Sequence, residues 1–304
     1  MRSEGVLTRR AGDYWDANRE KTRDPSFWMA HPLCREAINR RVSGSPREWP
    51  LDWFRRVHVA KPFERGVSWG CGTGAFERSA ILTDIVKTID AFDVSEKSPE
   101  EARHEAERES LSACLHYRTG NFDDPIVPRY RYDIAMFHAA LHHVSQLERL
   151  FRRLTLGLKP RGVIYLDEYV GPSRHTWRPR DLDLAQRIFD MVPPEAKMRE
   201  RLEPPIELND PSEAIRSAEI PLFVREYFDV LAWKPYGGQI ADLVFPHLKP
   251  DWTASPEGSR FIAALLAIED GELARDPETT HHVVAFGRVK RPRRPLRFFL
   301  RKKA

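Results

Sequence analysis

Three glycines at alternate positions close the run Val67-Ser68-Trp69-Gly70-Cys71-Gly72-Thr73-Gly74. The short apolar segment before them reads as a strand, and Ala75-Phe76-Glu77-Arg78 opens a helix-compatible stretch. Strand, tight turn and helix N-terminus in this order constrain the chain more than any other feature. Glycine permits positive φ and lets a ligand approach the backbone, because no Cβ stands in the way. The helix behind the turn offers unpaired N–H groups and the positive end of its dipole, a seat for a carboxylate or a phosphate.

Alternation of strands and helices follows. Thr88 to Val94 reads as a second strand. Ser98-Pro99-Glu100-Glu101 reads as a capped helix start, with Ser98 as the N-cap. Further strands are expected over 114–118, 132–137 and 162–169, with a helix over 146–158. This pattern predicts a doubly wound α/β sheet with its ligand at the carboxyl ends of the strands. Aromatic-rich residues 1–64 read as an N-terminal helical lid, with Tyr14 and Trp15 its foremost contacts. Residues 65–170 form the cofactor-binding core. The Pro-rich stretch 171–225 reads as a substrate cap inserted after strand five, with a capped helix start at Asp210-Pro211-Ser212-Glu213. Residues 226–289 supply two closing strands, the last antiparallel, with a helix near 259–273 between them. Residues 290–304 are a basic tail.

Asp93 ends the second strand, 23 residues beyond Gly70, where a carboxylate can accept from both hydroxyls of a ribose. That geometry suits a nicotinamide dinucleotide as well, and Gly70, Gly72 and Ala75 satisfy the G-x-G-x-x-G/A pattern. The longer run G-x-G-x-G resembles motif I of the class I S-adenosylmethionine-dependent methyltransferases. Tyr132 to Val144 is similar to that family's fourth strand and its following loop, and Leu158-Lys159-Pro160-Arg161-Gly162 to its turn before strand five. A dehydrogenase has no reason to carry this pair. The resemblance covers roughly Val67 to Tyr169. It implies a Rossmann-like methyltransferase sheet and S-adenosyl-L-methionine as cofactor. It implies a cofactor site made of Trp69, Gly70, Gly72, Gly74, Asp93, Val94, Asn121, Phe122 and His138, with Tyr14 from the lid. Asn121 departs from the acidic residue usual at its position, although its amide oxygen can still accept.

Methyl transfer from a sulfonium is largely a matter of alignment, and a base helps where the acceptor is a hydroxyl. Candidates beyond strands four and five are His143 first, then Glu168, with His142 beside them. His138 and His142 stand four apart, but no carboxylate or cysteine cluster accompanies them, so no metal is expected. The absence of an Asn/Asp-Pro-Pro-Tyr segment after strand four argues against methylation of nucleic-acid bases. Asp167 to Arg174 and Asp210 to Ser217 resemble a bacterial methyltransferase subgroup found beside glycosyltransferases, which implies a sugar, glycan or other hydroxylated small molecule as acceptor. A nicotinamide-dependent oxidoreductase and a non-catalytic cofactor-binding partner are the alternatives.

Three widely spaced cysteines read as reduced thiols, and Met1 to Trp15 has no apolar core of a signal peptide, so a cytoplasmic protein is expected. The net charge of +4 is unevenly placed: nine Lys/Arg and no acid lie between Arg288 and Lys303, which leaves the body at about −5. Nucleic acid is therefore not an expected partner. Leu296, Phe298, Phe299 and Leu300 interleave with the cations, the composition of a reversible contact with an anionic membrane surface. Full-length protein is expected to sediment with vesicles containing anionic lipid at low salt and not with neutral vesicles. Truncation after Arg288 abolishes the effect; equal recovery of both forms in the supernatant would remove the tail as an anchor.

Overall fold

The computed structural model describes residues 11–17, 27–203 and 210–290. The basic tail beyond Lys290 lies outside them. Helix α1 covers residues 11–17. There follow α2 (Pro32–Ser43), α3 (Pro50–His58), β1 (Gly66–Trp69), α4 (Ala75–Leu82), β2 (Ile89–Asp93), α5 (Lys97–Arg108), β3 (Leu115–Thr119), β4 (Tyr132–His138), α6 (Leu147–Gly157) and β5 (Leu158–Tyr169). Then come α7 (Pro179–Asp190), α8 (Ile220–Tyr227), β6 (Phe228–Gly237), the short α9 (Ala241–Val244) and α10 (Pro250–Thr253), α11 (Pro256–Arg275) and β7 (His282–Val289).

The seven strands form one sheet in the order β3-β2-β1-β4-β5-β7-β6. β1 to β5 pair in parallel; β7 lies antiparallel between β5 and β6. This is the doubly wound sheet of the class I methyltransferases. Strands covered on both faces read as continuous apolar runs. Ile134, Met136, Val163 and Tyr165 enter one core with side chains of α2, α3, α4, α5, α7 and α11, while Ala135, Phe137, Ile164 and Leu166 enter the other with α6 and α8. Because β7 runs backwards, its first residues meet the carboxyl ends of β4 and β5. His282 pairs with Tyr169, the last residue of β5. Among the described residues no helix is long and apolar enough to cross a membrane.

Two helix starts differ from the sequence expectation. α5 begins at Lys97, and its first turn is capped by Ser95, whose Oγ accepts the Ser98 N–H at 2.9 Å. Proline is tolerated there because first-turn N–H groups need no partner within the helix. Asp210 to Ala214 is a turn and starts no helix: Ala214 sits at φ +46°, and α8 begins only at Ile220 after a 3-10 turn over Ser217–Glu219. The turn is stitched to other loops instead. The Ile215 N–H donates to the carbonyl of His142 at 3.0 Å, and the Arg174 N–H to that of Ala214 at 2.6 Å. β5 also starts earlier than expected, at Leu158, with a break in its register against β4 between Leu158 and Val163.

Beneath the glycine turn lies a buried acid. Glu77, in the first turn of α4, accepts from the Ser68 hydroxyl at 2.5 Å, and its Oε2 has no partner. Burial raises its pKa from 4.5 to about 7, against the Ser68 bond. A raised carboxyl contributes stability that is present below about pH 4.5 and lost as pH rises through about 7. Glu77→Gln removes this pH dependence. Its unfolding free energy relative to wild type should improve by on the order of 3 kcal/mol between pH 4.5 and 8. Parallel denaturant-derived profiles for the two proteins would refute the assignment.

Candidate functional site

The carboxyl ends of β1, β2, β4 and β5 and the amino end of β7 lie on one side of the sheet. At the end of β1 the chain turns through Gly70, Gly72 and Gly74 with φ of +75°, +50° and +77°, the left-handed region where only glycine is unstrained. The outer two are also required by crowding. A Cβ on Gly70 would lie 2.5 Å from the Ala140 side chain, and one on Gly74 would overlap the Tyr117 hydroxyl. Gly72 differs: a Cβ there would meet nothing within 4 Å, so its backbone borders open space.

Asp93, at the end of β2, is held against the turn. Its Oδ2 accepts the Gly72 N–H at 2.8 Å and its Oδ1 the Ser95 N–H at 2.9 Å. Burial raises its pKa, while those two bonds oppose the shift. Helix α1 comes down on the same place. Asp16 accepts from the Ser95 hydroxyl at 2.5 Å, and Gly12 lies so close to the Val94 carbonyl that a Cβ would stand 3.1 Å from it. Ala11, Val94, Asn121, Phe122, Asp123, His143 and Ser212 line one narrow cleft. The Asn121 amide oxygen accepts the Asp123 N–H at 2.8 Å. Trp69 lies under this region, buried and stacked on Phe92 at 4.4 Å between ring centres. His138 is half-exposed and stacks on Phe76 at 5.0 Å. Asp123, not singled out from the sequence, fixes the start of α6 by accepting from the N–H groups of Ser145 and Gln146 and from the Ser145 hydroxyl.

Glu168 is buried at the end of β5 and has no oxygen left for an acceptor's proton. Its Oε2 takes the N–H groups of Ala140 and Leu141 at 2.8 and 2.7 Å; its Oε1 takes the Tyr169 N–H at 2.9 Å and His142 Nδ1 at 2.5 Å. Burial works to raise its pKa, but the His142 charge and these bonds hold it below the ordinary value. Both oxygens of Glu168, one of the residues expected as a base, are thus engaged by backbone N–H groups and His142. His142 is raised to about 9: burial lowers it, and Glu168 and Glu213 more than compensate. His143 is lowered, by burial and by the neighbouring His142 charge.

A carboxylate accompanies His142 and His143, a pairing with His143 that the sequence reading, which weighed His138 with His142, did not consider. It comes from the turn after residue 210. His142 Nε2 lies 3.8 Å from one oxygen of Glu213, and His143 Nε2 lies 3.9 Å from the other. His143 Nδ1 faces Ser212 Oγ at 3.2 Å and Asp210 Oδ2 at 3.5 Å. Asp210 is fixed in turn, its Oδ1 accepting the Ser212 N–H and hydroxyl at 2.8 and 2.6 Å. Trp15 of α1 closes edge-on over His143, 5.4 Å between ring centres, and Tyr14 packs edge-on against Trp15.

A second polar cluster lies across Tyr169. Asp242 faces His281 Nδ1 at 3.3 Å and His282 Nε2 at 3.2 Å. Burial works against its charge, but the two histidines hold its pKa at about 2. The Tyr169 ring touches both sides, 6.0 Å from His142 and 5.2 Å from His282. Among the described residues, buried His281 Nε2 and both amide atoms of buried Gln239 have no hydrogen-bond partner.

Residues 67–166 match the model of a methyltransferase domain family. No curated protein matches the chain. Among solved structures, phosphoethanolamine N-methyltransferase 2 of Haemonchus contortus, bound to S-adenosyl-L-methionine, aligns over 92% of this chain and 60% of its own, at 13% identity and a TM-score of 0.53. A methyltransferase in complex with the Haloferax volcanii activator Trm112 aligns over 93% and 99%, at 13% identity and a TM-score of 0.51. At such identities the likeness is one of fold. S-adenosylmethionine, the cofactor expected from the glycine run, agrees with the domain matched. The chain has the fold of the class I S-adenosylmethionine-dependent methyltransferases, with a methyltransferase domain at residues 67–166.

Proposed function

We propose that the protein transfers the methyl group of S-adenosylmethionine to a hydroxyl of a polar, sugar-like acceptor. The observation that carries the reading is the run of buried polar groups beyond β4, β5 and β7. Among the described residues Gln239 and His281 Nε2 are buried without partners, and buried donors and acceptors left unpaired cost about 1–3 kcal/mol each. A hydroxyl-rich acceptor satisfies them, whereas an apolar one does not. Gly72 and Asp93 lie on the cofactor side: the open space at Gly72 admits the amino-acid part of the cofactor, and Asp93 can accept from the ribose. Val94, Asn121 and Phe122 border the adenine, Gly70 and Gly74 shape the turn, and Trp69 supports it from beneath. His138 flanks the methyl donor, and α1 with Tyr14 and Trp15 covers cofactor and acceptor together. Within this frame the hydroxyl oxygen bonds to the methyl carbon. The C–S bond breaks with its electron pair left on sulfur, and the hydroxyl proton is lost on the side of His142 and His143.

S-adenosylhomocysteine should raise the melting temperature, a hundredfold excess over Kd corresponding to about 2.7 kcal/mol. Stabilisation by NADH in its place would overturn the cofactor assignment. Gly72→Val should remain folded by circular dichroism and lose S-adenosylhomocysteine binding in calorimetry. Unchanged affinity in the folded variant would take Gly72 out of the site. Radiolabelled methyl transfer to a panel of sugars, glycolipids and small alcohols tests the acceptor. Transfer confined to amines would overturn the O-directed reading.

A further inference from the structure

We propose that His142 Nε2, His143 Nε2 and the Glu213 carboxylate bind one divalent transition-metal cation. The inference deepens the reading above, because it rests on this side of the site being where the acceptor hydroxyl lies.

The three donor groups converge: their ligand atoms all lie within 4.8 Å of one another. At metal–ligand distances of about 2.1 Å and near-tetrahedral angles, donor atoms stand about 3.4 Å apart, so a shift closing the widest separation by at most about 1.4 Å completes the set. Glu213 is the partly exposed member and can make that shift. The histidines are fixed by their other nitrogens. Nδ1 of His142 is bound to buried Glu168, and Nδ1 of His143 faces Ser212 and buried Asp210. Metal-ligating imidazoles are commonly oriented in this way, by a carboxylate or hydroxyl on the far nitrogen. Both Nε2 atoms are thereby aimed at Glu213 and at each other's side of the cleft.

Charge supports the same conclusion. Glu168, Asp210 and Glu213 bring three carboxylates to two imidazoles. Among the described residues, their ion-pair partners are those imidazoles alone, with no lysine or arginine. Two imidazoles and a carboxylate suit zinc, manganese or iron(II) better than magnesium or calcium, which favour oxygen ligands throughout. Three protein ligands leave a coordination position open, as in catalytic sites. An acceptor hydroxyl placed there gives up its proton to water more readily. Its oxygen then attacks the methyl carbon while the sulfonium leaves as a neutral thioether.

The test uses tag-free, chelator-treated, full-length protein and Zn2+ alone, followed by calorimetry, with Co2+ absorption as a report on ligand type. The expected result is one Zn2+ per chain and the visible bands of nitrogen- and oxygen-ligated Co2+. Zn2+ affinity should fall about 100-fold in Glu213→Gln and about 10–100-fold in Asp210→Asn. S-adenosylhomocysteine binding, measured on the same preparations, should persist in both variants and shows that they are folded. Less than a tenth of an equivalent bound, or equal Zn2+ affinity in Glu213→Gln, would overturn the metal site and leave the methyltransferase reading standing. Zn2+ binding at this site without any S-adenosylhomocysteine binding in the wild type would do the reverse.

Discussion

A single buried carboxylate sets the register of the functional end of the sheet. Glu168 takes two backbone N–H groups from the loop after β4, one from its own strand end, and a ring nitrogen of His142. Buried N–H groups need partners, and Ala140 and Leu141 lie where the chain leaves β4 through a residue with positive φ, Ala139. Without the carboxylate these donors would be orphaned. With it, Ala140 is pressed against Gly70, so closely that no side chain fits between them. The glycine turn, the histidine loop and the end of β5 are therefore positioned by one group, and they cannot shift independently.

Across the sheet a comparable device fixes the periphery. Arg41 of α2 donates to Glu269 of α11 and to the carbonyl of Tyr236, while Glu269 accepts the N–H groups of Gly238, Ile240 and Ala241. Breaking one partner of such a buried pair is costly because the other charge is left unsatisfied. The pair ties the N-terminal helices to the end of β6, next to His281 and His282. Both polar clusters of the cleft thus stand on buried acid-centred networks, and Tyr169 lies between them.

Much of the scaffold was legible in the residues. Unbroken apolar runs such as Ile134 to Phe137 mark strands covered on both faces, and the alternate glycines mark the turn that follows β1. The late antiparallel strand followed from the resemblance, and β7 takes that place. What the residues could not disclose is contact across long separations. Asp210-Pro211-Ser212-Glu213 has the composition of a helix cap, and local patterning favours that reading. Only the fold shows that the Asx turn formed there serves His143, nearly seventy positions earlier, and that Glu213 faces both histidines. Glu168 stands in an apolar strand whose alternation gives no hint of the four hydrogen bonds it accepts. Ser98, followed by Pro99, has the composition of a cap, whereas Ser95, two residues before the helix, accepts the N–H of Ser98 itself.

The docking of α1 has a kinetic side. Its contacts with Val94 and Ser95 lie over the end of β2, on the path from solvent to Asp93, and its Trp15 covers His143. Under the function proposed above, a ligand accepted by Asp93 would lie beneath those contacts. Undocking of residues 11–17 is an event governed by a few contacts and not by global unfolding. One short segment thus touches both the end of β2 and His143, so its docking couples these two places on a local timescale.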